Sequence, residues 1–293
     1  MKISSLSRLF ALLTLLPILG FSQVSYRKYT PGDTYKYRLT TDVYRNDKYS
    51  GKTISVSEHH VVNDGSQLAE EITWVSKISI NGADTLRLDS IAHKVSPYRI
   101  SLLPNGNVLL PRLTIPQMVG EITDLNTFFV AIAPASDAQK LSAKNPLIRN
   151  PVPRQGNFAD SVTILYGKDC IAMSQHLISS DKKYTIIRTD FAPPDSFCLI
   201  PLLDTVARKT FDHPNNFQMI QMGGGNFRNV LWGVEQFTIT SKIDNKTGAL
   251  VDATMENTLL LRMRYNTTPD LKTYAVEMPF LIKRSMHLEL LSK

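Results

Sequence analysis

The sequence predicts a mainly β protein, α+β only at its margin, with long antiparallel strands in a curled sheet or partial barrel and two or three short covering helices. Three observations predict it. Apolar and polar residues alternate over most of the chain, turn-forming residues punctuate the runs, and helical spacing of apolar residues is scarce.

The alternation names the strands. Tyr35, Tyr37, Leu39 and Val43 share one face, opposite Lys36, Arg38 and Asp42. Ile54, Val56, His60 and Val62 repeat the pattern, as do Ile72, Trp74, Ile78 and Ile80. A hairpin is expected near 170–179 and 183–191, turning at Ser180-Asp181-Lys182. Later, Phe237, Ile239 and Ile243 alternate, then Leu259, Leu261, Met263 and Tyr265 against Arg262 and Arg264. The last run is the longest, with Tyr274, Val276, Met278, Phe280, Ile282, Met286, Leu288 and Leu290 on one face. Asn63-Asp64-Gly65, Asn81-Gly82, Pro104-Asn105-Gly106 and Lys246-Thr247-Gly248 supply the positive φ that tight hairpins need. Strands this long twist rather than lie flat, hence the expected curl.

Two segments carry helical spacing. Residues 124–132 begin with Asp124 as a candidate N-cap and place Leu125, Phe128, Phe129 and Ile132 on a stripe. Residues 200–211 place Pro201 in the first turn and align Leu203, Val206, Ala207 and Phe211. Both are expected to cover the core.

The N-terminus has the form of a signal peptide over residues 1–22. Lys2 and Arg8 precede an apolar run from Leu9 to Gly20, and Gly20-Phe21-Ser22 places small residues for cleavage before Gln23. That run is too short to span a bilayer, which takes about 20 apolar residues. An uncleaved anchor is the alternative. Behind the leader, a β-rich half (23–133), a Pro-rich connector (134–156) and a second β-rich half (157–293) are expected. The implied location is periplasmic, secreted or cell-surface. With Lys2 and Arg8 in the leader, the formal charge of +7 falls by two, to +5. The basic residues are scattered, without the clustered Lys, Arg and aromatics of a nucleic-acid groove, so no nucleic-acid partner is expected.

In an oxidising compartment Cys170 and Cys198 are expected to form a disulfide across the 170–191 hairpin, worth about 3 kcal/mol on a chain-entropy view. No hydrolase elbow, zinc-protease motif or phosphate loop is present, and no cofactor, metal or catalytic residue is expected. His59-His60 beside Glu58 is the most metal-like cluster, but strand neighbours point to opposite faces, leaving Glu58 and His60 able to pair. Met222-Gly223-Gly224-Gly225 sits between two β-like runs and reads as a turn. Arg284 interrupts the apolar row of the last strand, so a bulge, an internal carboxylate or a bound anion must satisfy it. Methionine concentrates beyond residue 150, and Met263, Met278 and Met286 are expected to face inward, where flexible thioethers suit either core filling or an adaptable apolar cavity.

Three segments, Ile100–Leu110 (ISLLPNGNVLL), Asn157–Cys170 (NFADSVTILYGKDC) and Trp232–Asn257 (WGVEQFTITSKIDNKTGALVDATMEN), resemble a group of exported Bacteroidota β-rich proteins of unknown function. The resemblance implies fold and compartment and supplies no functional residues. Asp84-Thr85-Leu86, Asp89-Ser90-Ile91, Asp160-Ser161-Val162 and Asp204-Thr205-Val206 look like O-glycosylation acceptors of the same export systems, which implies surface hydroxyls at Thr85, Ser90, Ser161 and Thr205. More loosely, the expected fold is similar to lipoprotein-carrier half-barrels, whose concave face holds acyl chains.

The expected function is a non-enzymatic envelope protein that binds an apolar or amphipathic small molecule, or an envelope protein, on its sheet, with Arg284, Met263, Met278 and Met286 as candidate contacts. One alternative is an exported hydrolase assembled from His60, His93, His176, Asp212 and His213. Another is a structural or adhesive surface module.

Overall fold

A computed structural model describes residues 27–104, 106–108, 111, 114–133, 141–142, 147–151, 157–159, 162–165, 172–192, 216–222 and 226–293. The expected signal peptide, the Cys170–Cys198 pair, the 200–211 helix, the Gly223–Gly225 turn, Ser161 and Thr205 lie outside them.

Alternating sequence becomes one antiparallel sheet of 14 strands that does not close into a barrel. β1 (Thr34–Arg45), β2 (Lys48–Asp64) and β3 (Gln67–Asn81) form a meander, and β4 (Asp84–Arg87) and β5 (Tyr98–Ile100) pair with different stretches of β3. β6 (Leu147–Pro151) pairs with β9 (Ala172–Ser180), which turns into β10 (Tyr184–Phe191) near the expected hairpin. β7 (Asn157–Ala159), β8 (Val162–Leu165) and β11 (Phe217–Met222) form a side branch on β12 (Arg228–Asp244). β13 (Leu250–Thr267) and β14 (Val276–Ser292) complete the second meander, and β14 lies between β13 and β1. The two chain halves therefore share one sheet.

Turn chemistry sets the hairpin joints. Asn46 and Asp47 both take positive φ, the conformation that fits the twist of the β1–β2 hairpin. Asn46 then behaves like a further strand residue toward β14: its N–H donates to Leu281 O at 2.9 Å, and Leu281 N–H donates to its Oδ1 at 3.0 Å.

A 3₁₀ turn (Pro116–Met118) leads into helix α2 (Val119–Val130), which lies on the inner face of the sheet. Proline opens this segment without losing a needed donor, since the first N–H groups of a helix have no internal partner. The helix starts five residues before the expected Asp124, which is buried inside it rather than capping it. Ile122, Leu125, Phe128 and Phe129 are fully buried, each contributing about 2 kcal/mol in transfer terms. The contacts of α2 define the curl. Glu121 reaches Lys77 on β3, whereas Ala131 at the other end accepts hydrogen bonds from Gln175 on β9 and Thr189 on β10. Seven strand spacings separate β3 from β9, about 34 Å if flat. The ten residues from Glu121 to Ala131 rise only about 15 Å. The sheet must wrap around the helix.

Two expected faces are corrected. On β2, Ser55, Ser57, His59 and Val61 are buried, and Ile54, Val56, His60 and Val62 face outward. Register decides this, because Tyr35, Tyr37 and Leu39 lie opposite His59, Ser57 and Ser55. On β3, Ile72 and Trp74 point inward as expected, but a bulge inserts Val75 opposite the Val56–Ser57 step. Beyond it the faces exchange: Lys77 is buried, and Ile78 and Ile80 are not. On β13 the inward row ends at Met263, with Arg264 buried and Tyr265 exposed. Tyr274 and Val276, expected in the inward row of the last strand, are also exposed.

A small helix, α1 (Asp89–Ala92), covers the edge of β3 that β4 and β5 leave open. Asp89 Oδ1 accepts the Lys77 N–H at 3.0 Å, and the His93 ring donates through Nε2 to Val75 O at 2.8 Å. Side chains thus occupy backbone groups that would otherwise recruit another strand.

Candidate functional site

The inner face divides into a part under α2 and a part beyond it. Three polar clusters lie along the helix, two of them bonded to it. At its start, Lys77 Nζ meets Glu121 at 2.6 Å and donates to Gln117 O at 2.5 Å. In its middle, Arg284 Nη1 donates to Asp124 Oδ1 at 2.7 Å and Arg284 Nε to Asn257 Oδ1 at 2.9 Å, with Glu235 3.8 Å from Nη2. Asn257 also donates to Glu235 Oε1 at 2.9 Å. β14 keeps its register with β13 through this position, so Arg284 stays in the inward row of Ile282 and Met286 and is met by internal carboxylates. Burial pushes the Asp124 carboxyl up to about 6, which Arg284 only partly offsets. Burial also raises Glu235, against the pull of Arg284 and Asn257.

The third cluster lies beneath Phe129. Ser57 Oγ is 3.0 Å from His59 Nε2, and His59 Nδ1 is 2.8 Å from Glu70 Oε2. Glu70 also meets Arg27 at 2.9 Å, and the Arg27 guanidinium stacks 3.8 Å from the centre of the Tyr35 ring. Burial alone would raise the Glu70 carboxyl, but Arg27 and His59 outweigh it and hold it at about 2. Burial lowers the His59 ring below its ordinary value, keeping it neutral. The order Ser57–His59–Glu70 is that of a nucleophile relay. Yet Ser57 is 1% exposed, His59 and Glu70 are 0% exposed, and the Phe129 ring lies 5.3 Å from the imidazole. No acyl donor reaches that hydroxyl in this conformation, so the cluster acts here as a buried core held by the Arg27–Glu70 ion pair and the His59 hydrogen bonds.

Among the described residues, His60, His93 and His176 do not converge. His60 contacts Thr34, His93 bonds to the β3 backbone, and His176 lies 3.6 Å from Asp190. Asp212 and His213 fall outside the described residues. Glu58 pairs with Lys36 rather than with His60. Among the described residues no group of three or more His, Cys, Asp or Glu side chains is arranged for a metal ion. Nor is any helix there long and apolar enough to cross a membrane. Thr85, on β4, and Ser90, in α1, are both exposed.

Beyond the Arg284 contact the inner face continues as apolar rows in which Leu231, Leu261 and Phe217 are buried in the main core and Met278 is exposed. Met278, Met263, Leu231 and Met219 lie opposite one another across β14, β13, β12 and β11, spanning about 14 Å. Phe280, Leu261 and Phe217 form the neighbouring row. Met278 lies six residues along β14 from Arg284, about 20 Å from the Asp124 contact. It keeps 38% of its surface exposed, although Leu231 in the same row is buried. Met286 is different. It faces Met255 under α2, is 2% exposed and belongs to the packed core. Of the four expected contacts, the structure therefore places Met263 and Met278 together, Met286 in the core, and Arg284 in a paired cluster.

No family model matches this chain. No curated protein matches it either. Among solved structures, one of lipovitellin, described as showing lipid–protein interactions, is similar over 90% of this chain at 9% identity with a TM-score of 0.39. The chain spans only 26% of that neighbour's length. A likeness of this degree carries no inference about ligand or activity.

Sequence reasoning missed Arg27, Ser57, His59, Glu70, Asp124 and Glu235 as a buried polar system. The available signal was Ser55, Ser57 and His59 alternating through β2, a polar face with the strand period.

Proposed function

We propose that this chain is an exported, non-enzymatic envelope protein whose inner sheet face, beyond helix α2, binds the apolar chain of an amphipathic small molecule. The observation that carries this reading is the Met278–Met263–Leu231–Met219 row, which crosses four strands over about 14 Å, lies about 20 Å along β14 from the Asp124 contact and ends in a partly exposed methionine. Thioether side chains adjust to chains of varied shape and supply contact without a directional partner. The same sheet already holds an apolar rod elsewhere, because α2 inserts Ile122, Leu125, Phe128 and Phe129 against it. The leader-like N-terminus supports the exported location.

The experiment is native mass spectrometry of the protein purified without detergent, followed by organic extraction. A near-stoichiometric amphipathic adduct that is released by solvent is expected. An empty protein that also fails to take up oleate or a lysophospholipid would overturn the reading.

The Ser57–His59–Glu70 order is the one observation that favours hydrolysis instead. Labelling by a fluorophosphonate, abolished by Ser57→Ala, would establish that activity. Complete burial predicts no labelling.

A further inference from the structure

We propose that helix α2 is a proton-dependent plug, seated on the inner sheet face when the Asp124–Arg284–Glu235 cluster carries a bound proton and loosened when that proton leaves. The charges at the interface carry the argument. Two carboxylates, Asp124 from the helix and Glu235 from β12, share one guanidinium, Arg284 from β14. Asn257 on β13 completes the cluster without adding charge. The cluster thus holds one excess negative charge in a largely buried site, where an unneutralised charge is costly unless a proton offsets it. The other ionisable groups against α2 do not remove that excess. Glu121 is matched by Lys77, and the group behind Phe129 pairs Glu70 with Arg27 and leaves His59 neutral. Glu121 adds to the field that favours a proton on Asp124.

Asp124 travels with the helix, so undocking returns its carboxyl to water. The docked state then holds the proton more tightly than the undocked state, and docking strengthens as pH falls. Loosening α2 would extend the exposed apolar face from the Met263–Met278 row toward Met255 and Met286, a consequence that rests on the ligand reading above. The plug itself does not need a ligand.

Hydrogen exchange of residues 119–131, corrected for intrinsic rates and referred to β13, tests this on the full chain. Relative protection of α2 is expected to fall about tenfold from pH 5 to pH 8. In Asp124→Asn, which resembles the protonated group, protection is expected to stay constant. Equal wild-type protection at both pH values, or the same pH dependence in Asp124→Asn, would overturn the proposal. If Asp124→Asn does not fold, Glu235→Gln supplies the test. It removes the excess charge and should flatten the profile, and an unchanged slope would count against the plug.

Discussion

Asn216 closes the fork in β12 by clasping the backbone of Glu235 with both ends of its carboxamide. Its Nδ2 donates to Glu235 O at 2.7 Å, and Glu235 N–H donates to its Oδ1 at 2.7 Å. β11 pairs with β12 up to Gly233 and β10 from Phe237 onward. One side chain therefore serves as the missing strand between them. Asn216→Ala should cost about 1–3 kcal/mol by leaving two backbone groups unpaired, measured as a fall in the urea midpoint. Asn216→Asp keeps the acceptor but loses the donor and should not restore stability.

Gly233 sits at the same fork with φ +149°, and a Cβ there would collide with Leu260 O on β13. Gly233→Ala is expected to prevent folding or to cost more than about 4 kcal/mol. Gly82, at φ +61° with open space around it, supplies the comparison. Gly82→Ala should cost about 1 kcal/mol. Similar thermal midpoints for the two variants would contradict the geometry of the fork.

Removing Arg284 isolates one buried and one partly buried carboxylate, Asp124 and Glu235. Arg284→Met should destabilise the protein by about 3–5 kcal/mol at pH 8. The loss should shrink toward pH 5 as Asp124 and Glu235 take up protons, both being raised by burial. Adding Asp124→Asn to Arg284→Met should recover part of the loss. Urea denaturation at the two pH values measures all of these quantities.

Glu70, His59 and Asp124 each contribute to the acid limb of stability, and their signs differ. Glu70 is depressed from 4.5 to about 2, so its contribution, about 3 kcal/mol, is complete above pH 4.5 and is lost as pH falls toward 2. His59 is lowered below 6.5, so the unfolded chain gains a proton first and stability falls as pH drops through that value. Asp124 is raised from 3.8 to about 6, so it adds stability as pH falls from 6 to 3.8. The profile should be shallow between pH 6 and 4.5 and steep below. Glu70→Gln should flatten the steep limb. A Glu70→Gln profile parallel to wild type would show that this carboxylate is not the one being titrated.

The mainly antiparallel sheet was legible because alternation and turn chemistry are local. Phe237–Ile243 and Met255–Leu261 carry their faces in their own sequence, and Asn81-Gly82 and Thr247-Gly248 mark their own turns. β2 was not legible in this way. Ile54 and Val56 compete with Ser57 and His59 for the interior, and the outcome depends on Arg27, Tyr35 and Glu70 making the polar face satisfiable. The Val75 bulge, too, belongs to the pairing of β2 with β3 rather than to either strand alone. At Arg284 the sequence showed an inward charge needing a partner, but Asp124 lies 160 positions away and the curl of the sheet brings them together. Sequence period also set the Met263–Met278 pair on one face. It did not separate Met278, at the exposed end, from Met286 in the core.

Photolabelling with a diazirine-bearing C16 fatty acid, read by peptide mapping, measures where an apolar chain lies. Adducts concentrated on residues 217–222, 261–263 and 278–280, and displaced by excess oleate, are the predicted result. Saturable labelling confined to the outer face around Leu260, or no saturable labelling at all, would contradict binding on the inner sheet.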